Sequence, residues 1–266
     1  MDITSKSNEK IKYIKSLNEK KFRQKYNAFY LEGVKVISEL LDIYEDMAVN
    51  IEFIAYSLDI LKNTNGHDKL LEKINKIKNL KLIEISKELF EDITDTVNSQ
   101  GILAVRKRNN KEEIKFNSNI LILDKVQDAG NLGTIIRTAN AFGIYNIVCS
   151  KGTTDAYAPK VVRSTMLGIV KSNIVYTEDI KDFIFNLKKE GYKIISTALY
   201  DSTYMNENTF KAKCAIVIGN EANGVSEEVL KISDEKIKIK IENSTESLNA
   251  ACAASIVLYN QYISKK

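Results

Sequence analysis

Residues 120–142 read ILILDKVQDAGNLGTIIRTANAF, and this stretch gives a clear indication of the fold class. It opens with four consecutive apolar residues, passes through a polar turn, and ends in apolar residues at helical spacing. A second apolar run occupies residues 214–218. Strands that are apolar on both faces are typical of a parallel sheet covered by helices on each side. The carboxyl-terminal part is therefore predicted to be an α/β domain with a buried parallel sheet.

Two domains are predicted from the length and from a change in composition. The chain has 266 residues, which exceeds the usual size of one compact domain. Residues 1–107 alternate helical and strand patterns, as a small α/β domain does, and residues 107–119 are polar and charged, as a linker is. The predicted domains are 1–107 and 118–266.

Charge is concentrated at the amino terminus. The whole chain carries a formal net charge of +4, whereas residues 1–25 hold eight basic and three acidic residues. Such a basic arm suits contacts with nucleic-acid phosphates. A lysine-rich helix face that only meets solvent would look the same, so the charge alone does not choose between the two interpretations.

Composition argues against several classes of site. His67 is the single histidine and lies in a polar stretch, so no zinc site or other metal site and no histidine-based triad is predicted. Cys149, Cys214 and Cys252 lie in apolar or small-residue runs, which predicts buried, reduced thiols. We find no signal-peptide pattern and no apolar run of about 20 residues that could span a membrane. A cytoplasmic protein is expected.

The first candidate motif extends from Asp128 to Asn140. Gly130 and Gly133 permit a tight turn before a helix, where free backbone N–H groups suit an anion. The spacing matches neither a dinucleotide-binding fingerprint nor a phosphate-binding P-loop. Arg137, flanked by apolar residues, either extends to solvent or reaches into a cleft.

The second and third motifs lie closer to the carboxyl terminus. Residues 218–226 (IGNEANGVS) follow an apolar strand, and ligands of open α/β sheets bind at such carboxyl ends. Gly219 could let a cofactor lie against the backbone there. Residues 239–255 are a polar loop followed by a helix rich in small residues, which fits either close approach of a ligand or subunit, or tight core packing.

Together, and in this order, the motifs resemble the SpoU (TrmH-like) branch of the SPOUT RNA methyltransferases over residues 120–262. The resemblance is carried by Asn131 and Arg137, by Ile218-Gly-Asn-Glu221, and by Ser247-Leu-Asn249. Residues 29–33 (FYLEG) and 99–104 (SQGILA) also resemble the family's ribosomal-protein-like substrate-binding domain. The resemblance implies a deep trefoil knot in the second domain and a homodimer with the active site between subunits.

The activity that the resemblance implies is transfer of a methyl group from S-adenosylmethionine to a ribose 2′-hydroxyl of RNA. Ribosomal RNA of the large subunit is favoured, because an extra front domain can grip a folded RNA apart from the target nucleotide. A transfer-RNA methyltransferase and a catalytically silent RNA-binding or ribosome-assembly protein stay open as alternatives. A small-molecule methyltransferase of the dinucleotide-binding fold is disfavoured because its glycine-rich loop is missing.

The resemblance also implies roles for individual residues. Arg137 would act on the attacking hydroxyl, either as a base or as a clamp on a nearby phosphate, and Asn131 would position it or the ribose. Three further residues would shape the pocket: Glu221, Ser247 and Asn249. The cofactor would contact mainly the backbone of Leu199, Gly219, Ile239 and Leu248.

Overall fold

The computed structural model describes residues 3–43, 50–77, 80–94, 96, 98–108, 114, 116, 118–242 and 246–264. The described residues form two compact units. The first contains residues 3–108 together with Tyr157–Leu167, and the second contains residues 114–156 and 168–264. The division into domains of residues 1–107 and 118–266 stays a prediction. Within the predicted linker, residues 109–113, 115 and 117 lie outside the described residues.

The first unit is built on a four-stranded mixed sheet. Its strands are β1 (Ala28–Glu32), β2 (Ile51–Tyr56), β3 (Leu82–Glu84) and β4 (Ile102–Lys107), in the order β1-β4-β2-β3. β4 is antiparallel to β1 and β2, whereas β2 and β3 are parallel. The helices that precede and connect these strands are α1 (Glu9–Ser16), α2 (Lys20–Tyr26), α3 (Val34–Asp42), α4 (Leu58–Leu61), α5 (His67–Lys76) and α6 (Lys87–Ile93).

The sequence patterns did not predict helices α2, α4 and α6. The seven residues of α2, KKFRQKY, show no apolar periodicity, so the sequence pattern does not reveal this helix. Contacts beyond the helix stabilise it: the buried Arg23 donates hydrogen bonds from Nη1 to the carbonyls of Leu17 and Asn18, both at 2.8 Å. The helix ends at Asn27, whose φ of 49° is a conformation that asparagine tolerates better than most residues.

Residues Tyr157–Leu167 pack with the first unit although they follow much of the second unit in the chain. They contain helix α8 (Pro159–Thr165), and Pro159 opens this helix, as its fixed φ and missing N–H predict. The Tyr157 ring packs on Phe29 of β1 with centroids 5.1 Å apart, and the guanidinium of Arg108 lies 4.1 Å from the centre of the same ring.

The second unit is the predicted α/β domain with a parallel sheet. Its strands run in the order β7-β6-β5-β10-β8-β11-β9, and all the neighbours pair in parallel. They are β5 (Ile120–Leu123), β6 (Asn146–Ser150), β7 (Asn173–Thr177), β8 (Lys193–Thr197), β9 (Thr203–Tyr204), β10 (Cys214–Ile218) and β11 (Glu235–Lys238). The helices are α7 (Ala129–Ala141), α9 (Gly168–Lys171), α10 (Ile180–Lys189), α11 (Glu227–Leu230) and α12 (Ala250–Ile263).

Burial follows the pattern that the sequence predicts, with one correction. Every residue of β5 and β10 is buried, as the continuous apolar runs require. Cys149 and Cys214 are buried free thiols, but Cys252 is exposed, so the prediction of three buried thiols was wrong for it. Cys252 lies in the first turn of α12, where the neighbouring Ala251 and Ala254 face the core instead.

No helix in the described part of the chain combines the length and the apolar character needed to cross a membrane. No group of three or more His, Cys, Asp or Glu side chains among these residues is arranged to hold a metal ion.

Candidate active site

The predicted site residues lie in loops that leave one edge of the sheet. β5, β10, β8 and β11 are adjacent and parallel, so their carboxyl ends meet at that edge. Leu123 pairs with Ile218 at the end of β5, and Thr197 pairs with Ile237 at the end of β8. The loops that follow these four strands carry all three sequence motifs together with Leu199. This edge is where open α/β sheets bind ligands.

The loop after β5 reverses direction at Lys125, not at the two glycines of the first motif. Lys125 has a φ of 58°, whereas Gly130 and Gly133 already lie inside α7 and have no positive φ. The expected glycine turn is therefore wrong. Asp128 caps α7 instead, because its Oδ1 accepts a hydrogen bond from the backbone N–H of Asn131 at 2.8 Å.

Glu221 supplies the anion at the start of α7. Its Oε2 accepts from the backbone N–H of Gln127 at 3.1 Å, and its Oε1 accepts from that of Asp128 at 3.0 Å. Oε1 also accepts from Asn131 Nδ2 at 3.1 Å. The two bonded N–H groups belong to the residues just before α7, where negative charge is favourable, and the anion site expected from the first motif stays a prediction.

These hydrogen bonds determine the ionisation of Glu221. Partial burial raises the pKa of the Glu221 carboxyl, but the hydrogen bonds from Asn131, Gln127 and Asp128 outweigh burial and lower it below its usual range. Glu221 is consequently a carboxylate over the physiological pH range, suited to accepting hydrogen bonds and unsuited to donating a proton.

Asn249 joins the third motif to the first. Its Nδ2 donates to Asn131 Oδ1 at 3.0 Å. Its Oδ1 accepts from the backbone N–H groups of Ala251 at 2.9 Å and Cys252 at 3.3 Å, which caps α12. Asn131 thus donates to Glu221 and accepts from Asn249. Three of the five predicted catalytic residues, one from each motif, form a continuous hydrogen-bonded chain.

Arg137 and Ser247 lie outside this chain of hydrogen bonds. Arg137 is exposed on α7, and no hydrogen bond or ion pair connects it to any residue that the structure describes. Its backbone is held closely, because a Cβ on Gly168 would lie 3.5 Å from the Arg137 Cα. Ser247 is exposed in the loop that precedes α12. The guanidinium therefore sits on a firmly packed backbone and keeps all its donors available.

The four predicted cofactor residues differ in their surroundings. Leu199 is 57% exposed although the strand before it is largely buried, and Ile239 and Leu248 are partly buried. Gly219 is required for a reason that the sequence does not reveal. A Cβ there would lie 2.1 Å from Gly224 C, so the space that glycine frees is filled by the chain's own backbone. The bend of the second motif, rather than an approaching cofactor, needs glycine on that side.

Two positioning residues were missed by sequence reasoning. Asp124, which is 1% exposed, accepts hydrogen bonds from Ser150 Oγ at 3.1 Å and from the Ser226 N–H at 2.8 Å. Asn220 donates from Nδ2 to the Lys125 carbonyl at 2.8 Å. These bonds tie the loop after β10 to the loop after β5. An aspartate placed directly after a buried apolar strand is the sequence signal that could have identified Asp124.

Comparison with known proteins gives matches over nearly the whole chain. The model of the SpoU rRNA Methylase family matches residues 118–259, and that of an MRM3-like substrate binding domain matches residues 8–104. The chain is 31% identical to the 23S rRNA (guanosine(2553)-2′-O)-methyltransferase RlmP of Bacillus subtilis, over 97% of this chain and 98% of the relative. It is 27% identical to the mitochondrial rRNA methyltransferase 3A of Danio rerio, over 90% and 64% of the two chains.

Solved structures of RNA methyltransferases also match nearly the whole chain. A putative RNA methyltransferase of the TrmH family from Porphyromonas gingivalis superposes with a TM-score of 0.80 at 26% identity, over 96% of this chain and 97% of that one. The AdoMet-bound rRNA methyltransferase from Sinorhizobium meliloti superposes with a TM-score of 0.79 at 26% identity, over 98% and 97%. Both units of the chain are thus covered by proteins of one kind.

Proposed function

The chain belongs to the SpoU rRNA methylase family, and we propose that it transfers a methyl group from S-adenosylmethionine to a ribose 2′-hydroxyl of RNA. One observation carries the proposal from the structure itself. The three motifs are brought together by the Glu221–Asn131–Asn249 hydrogen bonds at the carboxyl edge of the sheet. Arg137 stands on the helix that these bonds anchor.

The substrate that we propose is ribosomal RNA of the large subunit. The Bacillus subtilis relative is named for a guanosine of 23S rRNA, and the similarity to it extends over both units. That guanosine is the first target to test. We also propose that the chain acts in the cytoplasm, which its similarity to a 23S rRNA methyltransferase of a bacterium supports.

The carboxyl edge of the sheet fits S-adenosylmethionine. An exposed Leu199, with Ile239 and Leu248 in neighbouring loops, provides apolar surface for a purine ring, and the strand ends provide backbone groups for its polar parts. Gly219 would contribute its backbone. The cofactor supplies an electrophilic methyl group on a sulfonium.

The residues of the chain orient the nucleophile. Glu221 fixes the first turn of α7 and holds the Asn131 amide, and the packing of Gly168 on the same helix holds the Arg137 backbone. We propose that the Arg137 guanidinium donates hydrogen bonds to an RNA phosphate and thereby aligns the ribose hydroxyl for in-line attack. A guanidinium stays protonated at physiological pH, so a clamping role suits it better than that of a base. Alignment of this kind supplies much of an enzyme's rate.

A homodimer with the knotted arrangement typical of the family is part of the proposal. Helix α12 exposes Tyr259 (51%), Tyr262 (38%) and Ile263 (44%), which gives apolar surface for a second copy. The free Arg137 supports an active site that a partner subunit completes. Light scattering of the purified chain tests the dimer, and a monomeric mass would contradict it.

The reaction itself is tested by tritium transfer from labelled S-adenosylmethionine into separately purified ribosomal and transfer RNA. Nucleoside analysis then identifies 2′-O-methyl products. We expect label in a 2′-O-methyl nucleoside of ribosomal RNA. Label in transfer RNA alone would refute the proposed substrate. No label in either RNA, with no binding of the cofactor, would favour the silent RNA-binding alternative.

A further inference from the structure

The first unit carries an aromatic groove that neither the fold nor the proposed reaction explains. It lies between α1 and α2, has a volume of about 390 Å³, and is lined by Glu9, Lys12, Tyr13, Ser16, Phe22 and Tyr26. Three of its six lining residues are aromatic, and one is acidic. We call this feature the α1–α2 groove.

The aromatic rings of the groove are arranged as a platform. The Phe22 and Tyr26 rings are nearly parallel, with an interplanar angle of 13° and centroids 6.1 Å apart. Tyr13 meets Tyr26 edge to face, with centroids 5.0 Å apart, and its hydroxyl donates to Glu52 at 2.6 Å. The edge contact and the hydrogen bond fix Tyr13, and Tyr13 in turn supports Tyr26. The two parallel rings are therefore preorganised for another planar group.

Core packing does not account for this platform. The core of the first unit is formed by residues such as Ile11, Ile14 and Leu17, and Tyr13 and Tyr26 pack against its rim. Phe22 lies outside that core among the described residues, and its ring contacts are with Tyr26 and the Lys21 ammonium. Phe22 therefore contributes a partly exposed ring to the groove and not to the core.

Positive charge surrounds the platform. Lys21 Nζ lies 4.8 Å from the centre of the Phe22 ring, and Lys25 Nζ lies 5.3 Å from that of Tyr26. Lys21 also pairs with Glu19 at 2.9 Å, whereas Lys12 and Lys25 form no ion pair within the described part of the chain. Both ammonium groups lie over ring faces, and positive charge combined with aromatic rings is what binds single-stranded nucleic acid.

We propose that the α1–α2 groove binds an unpaired nucleotide of RNA, with its base stacked on the Phe22–Tyr26 platform and its phosphates held by Lys12 and Lys25. The identity of the polymer as RNA rests on the proposed function. A base within a duplex has its faces covered by its neighbours, so the groove selects single-stranded loops, bulges or ends. Lysine side chains alone would bind any polyanion. The aromatic rings add selectivity for unpaired nucleotides.

The test uses the full chain and a short fluorescein-labelled single-stranded RNA whose binding is followed by fluorescence anisotropy. Phe22→Ala should weaken binding about 5- to 100-fold, the effect of losing one base–aromatic contact. Phe185→Ala is the matched control, because Phe185 is 48% exposed on α10 of the other unit, and it should leave binding unchanged. A second pair of variants compares Lys12, which lines the groove, with Lys69, an exposed lysine of α5. Lys12→Ala should weaken RNA binding and reduce the salt dependence of that binding. Lys69→Ala should change neither.

Several outcomes separate the explanations. Equal binding by wild type and Phe22→Ala, with circular dichroism unchanged, overturns the proposal. Equal affinity for a fully paired duplex overturns the stacking, and competition by polyglutamate as strong as by RNA overturns the choice of nucleic acid. The wild-type chain could transfer no methyl group to ribosomal RNA while the Phe22→Ala variant binds RNA more weakly than wild type. In that case the proposed reaction fails and the groove assignment stands. If wild type methylates and Phe22→Ala does so with an unchanged KM, the groove assignment fails alone.

Discussion

Replacing Glu221 with glutamine removes the charge that holds the start of α7 while keeping the shape of the side chain. Oε1 accepts two hydrogen bonds and Oε2 accepts two, the second from Asn220 Nδ2 at 3.4 Å, so an amide in either orientation leaves two donors facing an NH₂ group. A hydrogen bond to a charged group contributes about 1.5–3 kcal/mol, and the lower end applies because Glu221 is exposed and water competes. We expect Glu221→Gln to lower the free energy of unfolding by about 1.5 kcal/mol, and Glu221→Ala by about 3 kcal/mol because all four bonds to the exposed carboxylate are lost.

The same carboxylate predicts a pH dependence. The folded pKa of Glu221 is lowered below its ordinary 4.5, so the unfolded chain takes up the proton first as the pH falls. The stabilisation is therefore complete above about pH 4.5 and is lost as the pH falls through the folded pKa. Wild type and Glu221→Gln should differ at neutral pH and converge in acid.

Urea unfolding followed by circular dichroism measures the difference, and hydrogen exchange of peptides covering residues 124–132 locates it. In Glu221→Gln the amides of Gln127 and Asp128 should exchange faster, while peptides of β6 should be unchanged, which provides an internal control. Equal unfolding free energies at neutral pH would refute the reasoning. A difference that grows in acid would refute the assigned direction of the pKa shift.

Three further predictions concern the remaining motif residues. Arg137→Ala should reduce methyl transfer by more than about 100-fold with cofactor affinity changed only a few fold, because the exposed guanidinium acts on the substrate; near-normal turnover in the tritium assay would remove Arg137 from the mechanism. Gly219→Ala should destabilise by more than about 3 kcal/mol in thermal unfolding, because its Cβ would overlap the Gly224 backbone at 2.1 Å, and an unchanged Tm would contradict that packing. Asn249→Ala should cost about 1 kcal/mol through loss of the α12 cap, whereas Asn249→Asp keeps the cap and loses the bond to Asn131. Equal Tm values for Asn249→Ala and wild type would count against the cap.

The sequence predicts the sheet well because burial on both faces leaves a plain signal. Residues 120–123 and 214–218 show continuous apolar character, and both are buried strands. Helix α2 gives no such signal, because its stability comes from the hydrogen bonds of Arg23 to carbonyls outside the helix. The placement of residues Tyr157–Leu167 with the first unit is equally hidden, since it depends on contacts such as Phe29 with Tyr157.

The candidate site was predicted through the family resemblance, and the structure adds how its parts are joined. Asn131, Glu221 and Asn249 are far apart in the chain, and residue patterns alone do not show that one amide bridges the other two. The free N–H groups expected at the start of α7 were a reasonable local inference. It does not reveal that a carboxylate about 90 residues later in the chain accepts from the two N–H groups just before that helix. A residue pattern within one segment does not show the interactions of that segment with distant parts of the chain.

The position of β10 has a consequence for how the chain is made. β5 lies in the middle of the sheet between β6 and β10, but residues 214–218 leave the ribosome long after residues 120–150 have emerged. During synthesis one edge of β5, a strand with four apolar side chains, therefore presents unpaired N–H and C=O groups, and such edges are prone to aggregation. A nascent chain arrested before residue 214 cannot close this sheet at its centre. We therefore expect the time between synthesis of residues 120–150 and of residues 214–218 to affect how much of the chain folds.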